Sequence, residues 1–162
     1  MEIGATKAVQ DRLKTTKIEE SKGASLVFCW DTHLTKIKGR NVLFIVNASN
    51  RYTIAMTDIE PRNWNYYTMY IRSVIHGVMQ EMGYSEDQIG QYFKMSGDTT
   101  ITKTHGRKSV GGINRMVMDA QYFGKKLEKE AKYQWELGEY LNRDICQPEG
   151  FDTYGYPSEL FK

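Results

Sequence analysis

Apolar and polar positions in residues 26–56 follow the short periods that are typical of β-strands. Two Gly- or Asn-containing turn sequences separate the later runs, and short turns between successive strands predict an antiparallel meander. The run at residues 42–46 is apolar throughout, so it predicts a central strand that is covered on both faces. The four runs are residues 26–30, 34–37, 42–46 and 52–56, and the two turns are residues 38–40 and 47–50.

Beyond residue 60 the apolar positions repeat every three or four residues, which is typical of amphipathic helices. Pro61 suits the first turn of one such helix, whose apolar face extends to Met82. Ser85 and Gln88 form a capping-box sequence, which predicts a second helix that extends to about Met95.

The rest of the chain adds one more strand, a long helix and a tail. Residues 99–104 are β-branched and polar on alternate positions, which predicts an edge strand, and the apolar positions of residues 110–135 predict one helix. Strands cluster early and helices late, which favours an α+β single domain: an antiparallel sheet of about five strands with helices packed on one face. We expect this domain to span residues 1–148, with residues 149–162 as an aromatic C-terminal tail docked on it.

The composition is that of a soluble globular protein. The chain has 162 residues, 40% hydrophobic and 26% charged, and a net charge of +2 is too small to indicate nucleic-acid binding by itself. The two cysteines form no CxxC pair, and no apolar stretch approaches the length of a membrane span, so we expect a cytoplasmic protein. Eleven tyrosines, six phenylalanines and three tryptophans are many for this length, and such rings fill cores and also populate binding surfaces.

The segment of residues 100–115 contains the strongest candidate for a binding site. A strand-like run ends there in a basic, Gly-containing turn, and a helix opens directly afterwards. Backbone N–H groups at a helix start attract anions, so the surrounding positive charge predicts an anion- or partner-binding site. Arg51 joins this site if the edge strand lies beside the hairpin turn at residues 47–50. The candidate residues are Arg51, Lys103, Thr104, Arg107, Lys108, Ser109 and Asn114.

The alternative is a solvated basic turn in which Arg107 caps the helix or pairs with a carboxylate. The glycine spacing and the GK[ST] ending of a P-loop do not occur, which argues against an NTPase. The segment therefore indicates where a ligand binds, and it does not indicate which reaction, if any, takes place there.

Two further kinds of chemistry receive weaker support. Cys29, Asp31 and His33 fall on one face of a continuous strand, a spacing that presents three ligands to one metal ion. Zinc sites usually have tighter ligand spacing, and a free cysteine is more often a packed core residue, so we expect no metal ion and no cofactor. The absence of a GxSxG elbow or a recognisable Cys/His signature favours a non-enzymatic protein without catalytic residues.

Several short phrases occur in a fixed order along residues 1–125: Gly4–Lys7, Phe28–Trp30 before Leu34, Val46–Asn47 with Asn50-Arg51-Tyr52, Thr102-Lys103-Thr104, Arg107 and Asn114. This ordered set resembles a bacterial family of domains of unknown function that occurs on Gram-positive chromosomes, plasmids and prophages. The resemblance implies a setting on mobile elements and no biochemical activity. Where the family favours Trp-His-Ala-Asn, this chain has Trp30-Asp31-Thr32-His33, so a histidine directly after the tryptophan has no counterpart here.

These observations favour a non-enzymatic intracellular binding protein. In the setting that the resemblance implies, it would be encoded by a phage or plasmid and would inhibit or modulate a host macromolecular complex such as a defence system. Its partner would be a host protein or a protein–nucleic-acid complex. The alternative is a nucleic-acid- or nucleotide-binding protein that uses the basic strand-to-helix turn.

Overall fold

Five β-strands form one mixed sheet in the computed structural model, which describes residues 1–15 and 18–161. Their spatial order is β4-β3-β2-β1-β5. The last three of the four predicted runs pair antiparallel through the two turns that the sequence indicates, and the first run ends in the same strand as the second. The strands are β1 (Glu2–Ala5), β2 (Cys29–Ile37), β3 (Arg40–Asn47), β4 (Thr53–Thr57) and β5 (Thr100–Thr102).

The expectation of a purely antiparallel sheet is wrong, because β1 pairs parallel with both of its neighbours. Glu2 lies opposite Cys29 of β2, and Gly4 lies opposite Asp31. On its other side β1 pairs with β5, which forms the predicted edge strand. Parallel strands are joined by long crossovers and not by tight turns, so no local turn sequence predicts this pairing.

Seven helices accompany the sheet in the described part of the chain. α4 begins with the predicted capping box, in which the Gln88 amide donates to the Ser85 hydroxyl oxygen and the Ser85 amide donates to the Gln88 side chain. The helices are α1 (Lys7–Leu13), α2 (Pro61–Asn65), α3 (Tyr67–Glu81), α4 (Glu86–Ser96), α5 (Gly106–Gln121), α6 (Trp135–Asn142) and α7 (Pro157–Leu160). Among the described residues, no helix has the length and apolar character needed to cross a membrane.

Helices cover both faces of the sheet, so the expectation of helices on one face is wrong. Alternate residues of β3 point to opposite faces, and all of residues 42–46 are buried, which confirms the strand covered on both faces. Leu43 and Ile45 pack in a core with α3 and α4, whereas Phe44 packs in a second core with α5 and α6. A sheet that is apolar on both faces must bury both of them.

The long helix expected over residues 110–135 is interrupted. α5 ends at Gln121 and α6 begins at Trp135. The chain between them runs along the outer edge of β4, where the Thr57 amide donates to the Lys132 carbonyl and the Gln134 amide donates to the Ala55 carbonyl, both at 2.9 Å. β4 is an edge strand with unpaired backbone groups, and these hydrogen bonds satisfy them at the expense of a continuous helix.

The C-terminal segment contributes to the same structure. Phe161 is buried in the core with α3 and α4. Its ring stacks on Tyr52 at 4.6 Å between centroids and meets Trp30 edge-on at 5.5 Å. The aromatic tail therefore supplies a core side chain to the body of the protein.

Candidate functional site

A group of polar and ionisable side chains is buried where β1 and β2 meet the first turn of α5. We call these residues the buried polar cluster: Glu2, Cys29, Asp31, His105 and Ser109. The side chains of Asp31 and His105 are 0% and 2% exposed, and that of Glu2 is 5% exposed. Carboxylates are almost never this deeply buried unless they are paired, so the partners of each one decide what the cluster does.

The pairing of β1 with β2 places the cluster. Glu2 lies opposite Cys29 and Gly4 opposite Asp31, so these positions share the sheet face that carries α5. Gly4 has no side chain, and the Asp31 carboxylate occupies that space. A Cβ at residue 4 would overlap Asp31 Oδ1 and would lie 3.0 Å from Thr104 Cα, which explains the glycine at this position.

Asp31 receives hydrogen bonds from three groups at the start of α5. His105 Nδ1 lies 2.7 Å from Oδ1, the His105 amide lies 3.2 and 3.3 Å from the two carboxylate oxygens, and the Ser109 hydroxyl donates to Oδ2. The amino end of a helix attracts negative charge. The anion at this helix start is therefore the protein's own carboxylate, which no local sequence signal indicates.

Glu2 closes the other side of the imidazole. Its Oε2 lies 3.0 Å from His105 Nε2 and accepts a hydrogen bond from the Ser21 hydroxyl at 2.6 Å. Its Oε1 accepts from the Lys22 amide at 2.8 Å. The loop that contains Ser21 and Lys22 thus covers the Glu2 side of the cluster.

These contacts determine the ionisation of the cluster. Burial by itself would lower the pKa of His105, but the hydrogen bond and negative charge of Asp31, together with Cys29, raise it to about 10. Burial by itself would raise the pKa of Glu2, but hydrogen bonds from Ser21, from the Lys22 amide and from His105 lower it below its ordinary value. Without a bound ion, an imidazolium flanked by two carboxylates is the stable arrangement.

Three members of the cluster have the chemistry of metal ligands. The donor atoms of Glu2, Cys29 and His105 all lie within 4.8 Å of one another. The strand spacing correctly indicated that Cys29 and Asp31 share a face, but His33 does not join them. Its Nδ1 lies 3.1 Å from the Thr6 hydroxyl, and the histidine of the cluster comes from residue 105 instead.

The structure separates the residues of the predicted anion site. The side chain of Lys103 forms an ion pair with Glu20, and Arg107 and Asn114 are exposed on the first and third turns of α5. Thr104 is half-buried, and its backbone lies against Gly4. β5 lies at the edge of the sheet opposite β4, so the condition under which Arg51 would join through the edge strand is not met.

Arg51 meets α5 by another route. Its Nη2 donates to the Gly112 carbonyl at 3.0 Å. A cavity of about 240 Å³ opens beside this contact, and we call it the basic pocket. Among its lining residues are Arg51, Lys108, Ser109, Arg115 and Glu149. Three of the predicted site residues therefore line one pocket, although the Ser109 hydroxyl is directed to Asp31.

An open cavity of about 390 Å³ lies on the opposite side of the sheet, beside α4. We call it the apolar groove, and its main lining side chains are Phe28, Met79, Tyr84, Tyr92, Met95 and Phe161. Met95 is 72% exposed. The abundance of aromatic residues was the only sequence signal for this surface, since its residues come from four distant parts of the chain.

Comparison with known proteins identifies one family. The family model described as domain of unknown function (DUF6933) matches residues 2–160. No curated protein and no solved structure matches the chain.

Proposed function

The chain belongs to the DUF6933 family of domains of unknown function, and we propose that it is a non-enzymatic protein that binds a protein partner through the apolar groove. The groove is the observation that carries the proposal. Methionine and aromatic side chains are enriched at protein–protein interfaces, where flexible thioethers adapt to a partner and rings supply contact area.

The walls of the groove are built to keep their shape. The rings of Phe28 and Tyr92 lie 5.2 Å apart, and the Tyr92 hydroxyl donates to the Val27 carbonyl at 2.8 Å while accepting from Trp30 Nε1 at 2.9 Å. Tyr84 donates to the Phe161 carbonyl. A rigid wall loses little conformational entropy when a partner binds.

The buried polar cluster supports a non-enzymatic role. Its two carboxylates accept hydrogen bonds from His105, Ser109, Ser21 and the backbone, and they are shielded from solvent. A general acid or base must come within hydrogen-bond reach of a substrate. In the described structure the side chains of the cluster hydrogen-bond to one another and to the backbone, and they are not exposed at the surface.

The partner that we propose is a host protein or a protein–nucleic-acid complex, such as a defence complex that the protein inhibits. This part of the proposal rests on the mobile-element setting that the sequence resemblance implies. A cytoplasmic location belongs to the same proposal, and two cysteines that are buried and unpaired support it.

Two exposed methionines provide a matched test. Met95 lies in the groove near the end of α4, and Met118, 63% exposed, lies near the end of α5 on the other side of the sheet. Affinity capture from a lysate of the source organism should recover one stoichiometric protein with the wild type and with Met118→Glu. Capture by Met95→Glu should be weaker by about tenfold or more, since each ~1.4 kcal/mol is tenfold in affinity. Equal capture by Met95→Glu, or no stoichiometric partner, would contradict the proposal.

The basic pocket favours a second candidate function, the binding of nucleic acid or a nucleotide. Arg51, Lys108 and Arg115 surround it, opposed by Glu149. Phosphate contacts release counterions, so a mobility shift with DNA or RNA should weaken steeply as salt increases and should be reduced by Lys108→Ala. The control is Lys94→Ala, an exposed lysine on α4. A shift that is insensitive to salt and to Lys108→Ala would exclude this function.

A further inference from the structure

We propose that Glu2, Cys29 and His105 bind one divalent transition-metal ion, and that zinc is the ion that fits them. A carboxylate oxygen, a thiol sulfur and an imidazole nitrogen converge from β1, β2 and the start of α5. Donor atoms bound to a tetrahedral zinc ion at about 2.0–2.3 Å lie about 3.3–3.8 Å apart. The three donor atoms all lie within 4.8 Å of one another, so side-chain movements of about 1 Å bring them to that separation.

The surroundings of His105 have the form of an outer coordination shell. Zinc-binding histidines almost always donate their second ring N–H to a carboxylate or carbonyl, which fixes the tautomer and the ring orientation. His105 Nδ1 lies 2.7 Å from Asp31 Oδ1. Nε2 is thereby directed toward Glu2 and Cys29, and Asp31, itself held by Ser109 and the His105 amide, acts as a positioning residue.

The charge of the cluster is compatible with a divalent cation. Two buried carboxylates face one imidazole, which can contribute at most one positive charge. Among the described residues, no lysine or arginine side chain forms an ion pair with Glu2 or Asp31. The Lys22 ammonium, the closest in sequence to the covering loop, pairs with Glu19 instead. With a thiolate at Cys29 and a neutral His105, a divalent cation leaves the cluster with the same net charge as the metal-free form, so binding adds no buried charge.

Cys29 is the second independent observation. Its side chain is completely buried, and its sulfur donates to the Ala24 carbonyl at 3.8 Å and to the Ser25 carbonyl at 3.5 Å. A thiol is a weak hydrogen-bond donor, so these contacts do little to explain why a sulfur lies beside Glu2 and His105. As a thiolate, the Cys29 sulfur would form a strong bond to the metal ion.

The donor set selects among metals. Thiolate and imidazole ligands favour zinc over magnesium or calcium, which prefer all-oxygen sites. The ligands connect the first strand, the second strand and the start of α5 beneath a covering loop. The ion would therefore stabilise the fold, and binding would release one proton from the thiol and one from the imidazolium.

Cobalt(II) tests this inference without altering any ligand. The chain has two cysteines, and Cys146 lies outside the cluster, so Cys29 is the only thiol in Cys146→Ser. Chelator-treated Cys146→Ser should bind one equivalent of Co²⁺ and show the near-ultraviolet sulfur-to-cobalt charge-transfer band of a thiolate ligand. Zinc should then displace the cobalt and abolish the band. Failure to bind Co²⁺, or binding without that band, overturns the proposal.

Removal of ligands provides the complementary measurement. Cys29→Ser should lose the charge-transfer band while it remains folded by circular dichroism, and Glu2→Gln should bind Co²⁺ at least tenfold more weakly than the wild type. If Cys29→Ser does not fold, the spectrum of Cys146→Ser alone decides. A band that persists in Cys29→Ser would show that Cys146 is the ligand, which also overturns the proposal.

Discussion

The two sides of the segment Thr102–Ser109 differ in almost every property. Its inward side chains, Thr102, His105 and Ser109, are buried, and two of them bind Asp31. Its outward side chains, Lys103, Arg107 and Lys108, are exposed and basic. The two sides alternate within eight residues of chain, but only the inward side chains contact the buried polar cluster.

The difference separates the basic side chains of this segment from the groups that pack at the start of α5. Lysine and arginine are conspicuous in a sequence, and at a helix start they suggest a bound anion. The structure places an anion there, but it is Asp31, which lies 74 residues earlier in the chain than His105. We expect the energetic difference between the two sides to be large, because buried charges depend on their partners and exposed charges are solvated.

The largest effect should come from Asp31→Asn. The change removes one of the two charged partners of His105 and an acceptor from Ser109, so the free energy of unfolding should fall by about 3–5 kcal/mol. Chemical denaturation in the presence of a chelator measures this without a contribution from metal ions. Asp11→Asn, in the exposed ion pair with Lys7, is the control and should change stability by less than about 0.5 kcal/mol. Similar losses of stability for the two variants would mean that the buried carboxylate of Asp31 contributes no more to stability than the exposed one of Asp11.

Gly4→Ala should cause the next largest loss of stability. The added methyl group overlaps the Asp31 carboxylate and approaches the Thr104 backbone, so we expect a loss of about 3 kcal/mol, the upper part of the range for overpacking. Gly90→Ala is a matched control, because a Cβ at this α4 position has no neighbour within 4 Å. It should stabilise the protein by up to about 1 kcal/mol through helix propensity. If Gly4→Ala has the same stability as the wild type, the Asp31 side chain can adopt another conformation without loss.

Ser109→Ala should cost about 2 kcal/mol, because a hydrogen bond to a buried carboxylate is lost. The control is Ser73→Ala, whose exposed hydroxyl donates only to the Tyr70 carbonyl and whose loss should be nearly neutral. Thermal and chemical denaturation of both variants should separate them clearly. Equal stability of the two would imply that water replaces the Ser109 hydroxyl.

Substitutions on the outward side should hardly change the free energy of unfolding. Lys103→Ala breaks an exposed ion pair with Glu20, and Arg107→Ala removes an exposed side chain, so each should change stability by less than about 0.5 kcal/mol. Denaturation midpoints would check this. A loss above 1 kcal/mol for Arg107→Ala would favour the alternative that it supports the fold through a carboxylate.

The smallest effect, absent at neutral pH, concerns His33. Burial lowers the pKa of His33, so its charged form is less favourable in the folded protein than in the unfolded chain. The unfolded state then binds more protons as pH falls below about 6.5, and stability falls with it. Stability measured from pH 7 to pH 5 should decline less steeply in His33→Gln than in the wild type. Identical slopes would assign the decline to other groups.

Local signals in the sequence were sufficient for several elements. The turns at residues 38–40 and 47–50, the strand covered on both faces at 42–46 and the capping box of α4 all depend on residues within a few positions of one another. Pro61 likewise starts a helix as predicted, although that helix ends at Asn65 and α3 follows it. Turn chemistry, capping and hydrophobic period act over one or two turns of chain, so they are legible in the sequence.

Tertiary structure alone decided the rest. β1 has four residues and pairs with strands 27 and 98 positions away, and the edge of β4 stopped a helix that the apolar pattern favoured. The buried polar cluster depends on the same long-range pairing, since Glu2 and His105 meet only when β1 enters the sheet. The sequence by itself determined which residues prefer strand, helix or turn. Which carboxylate meets which histidine depended on the parallel register and on burial, because those interactions become strong only after water is excluded.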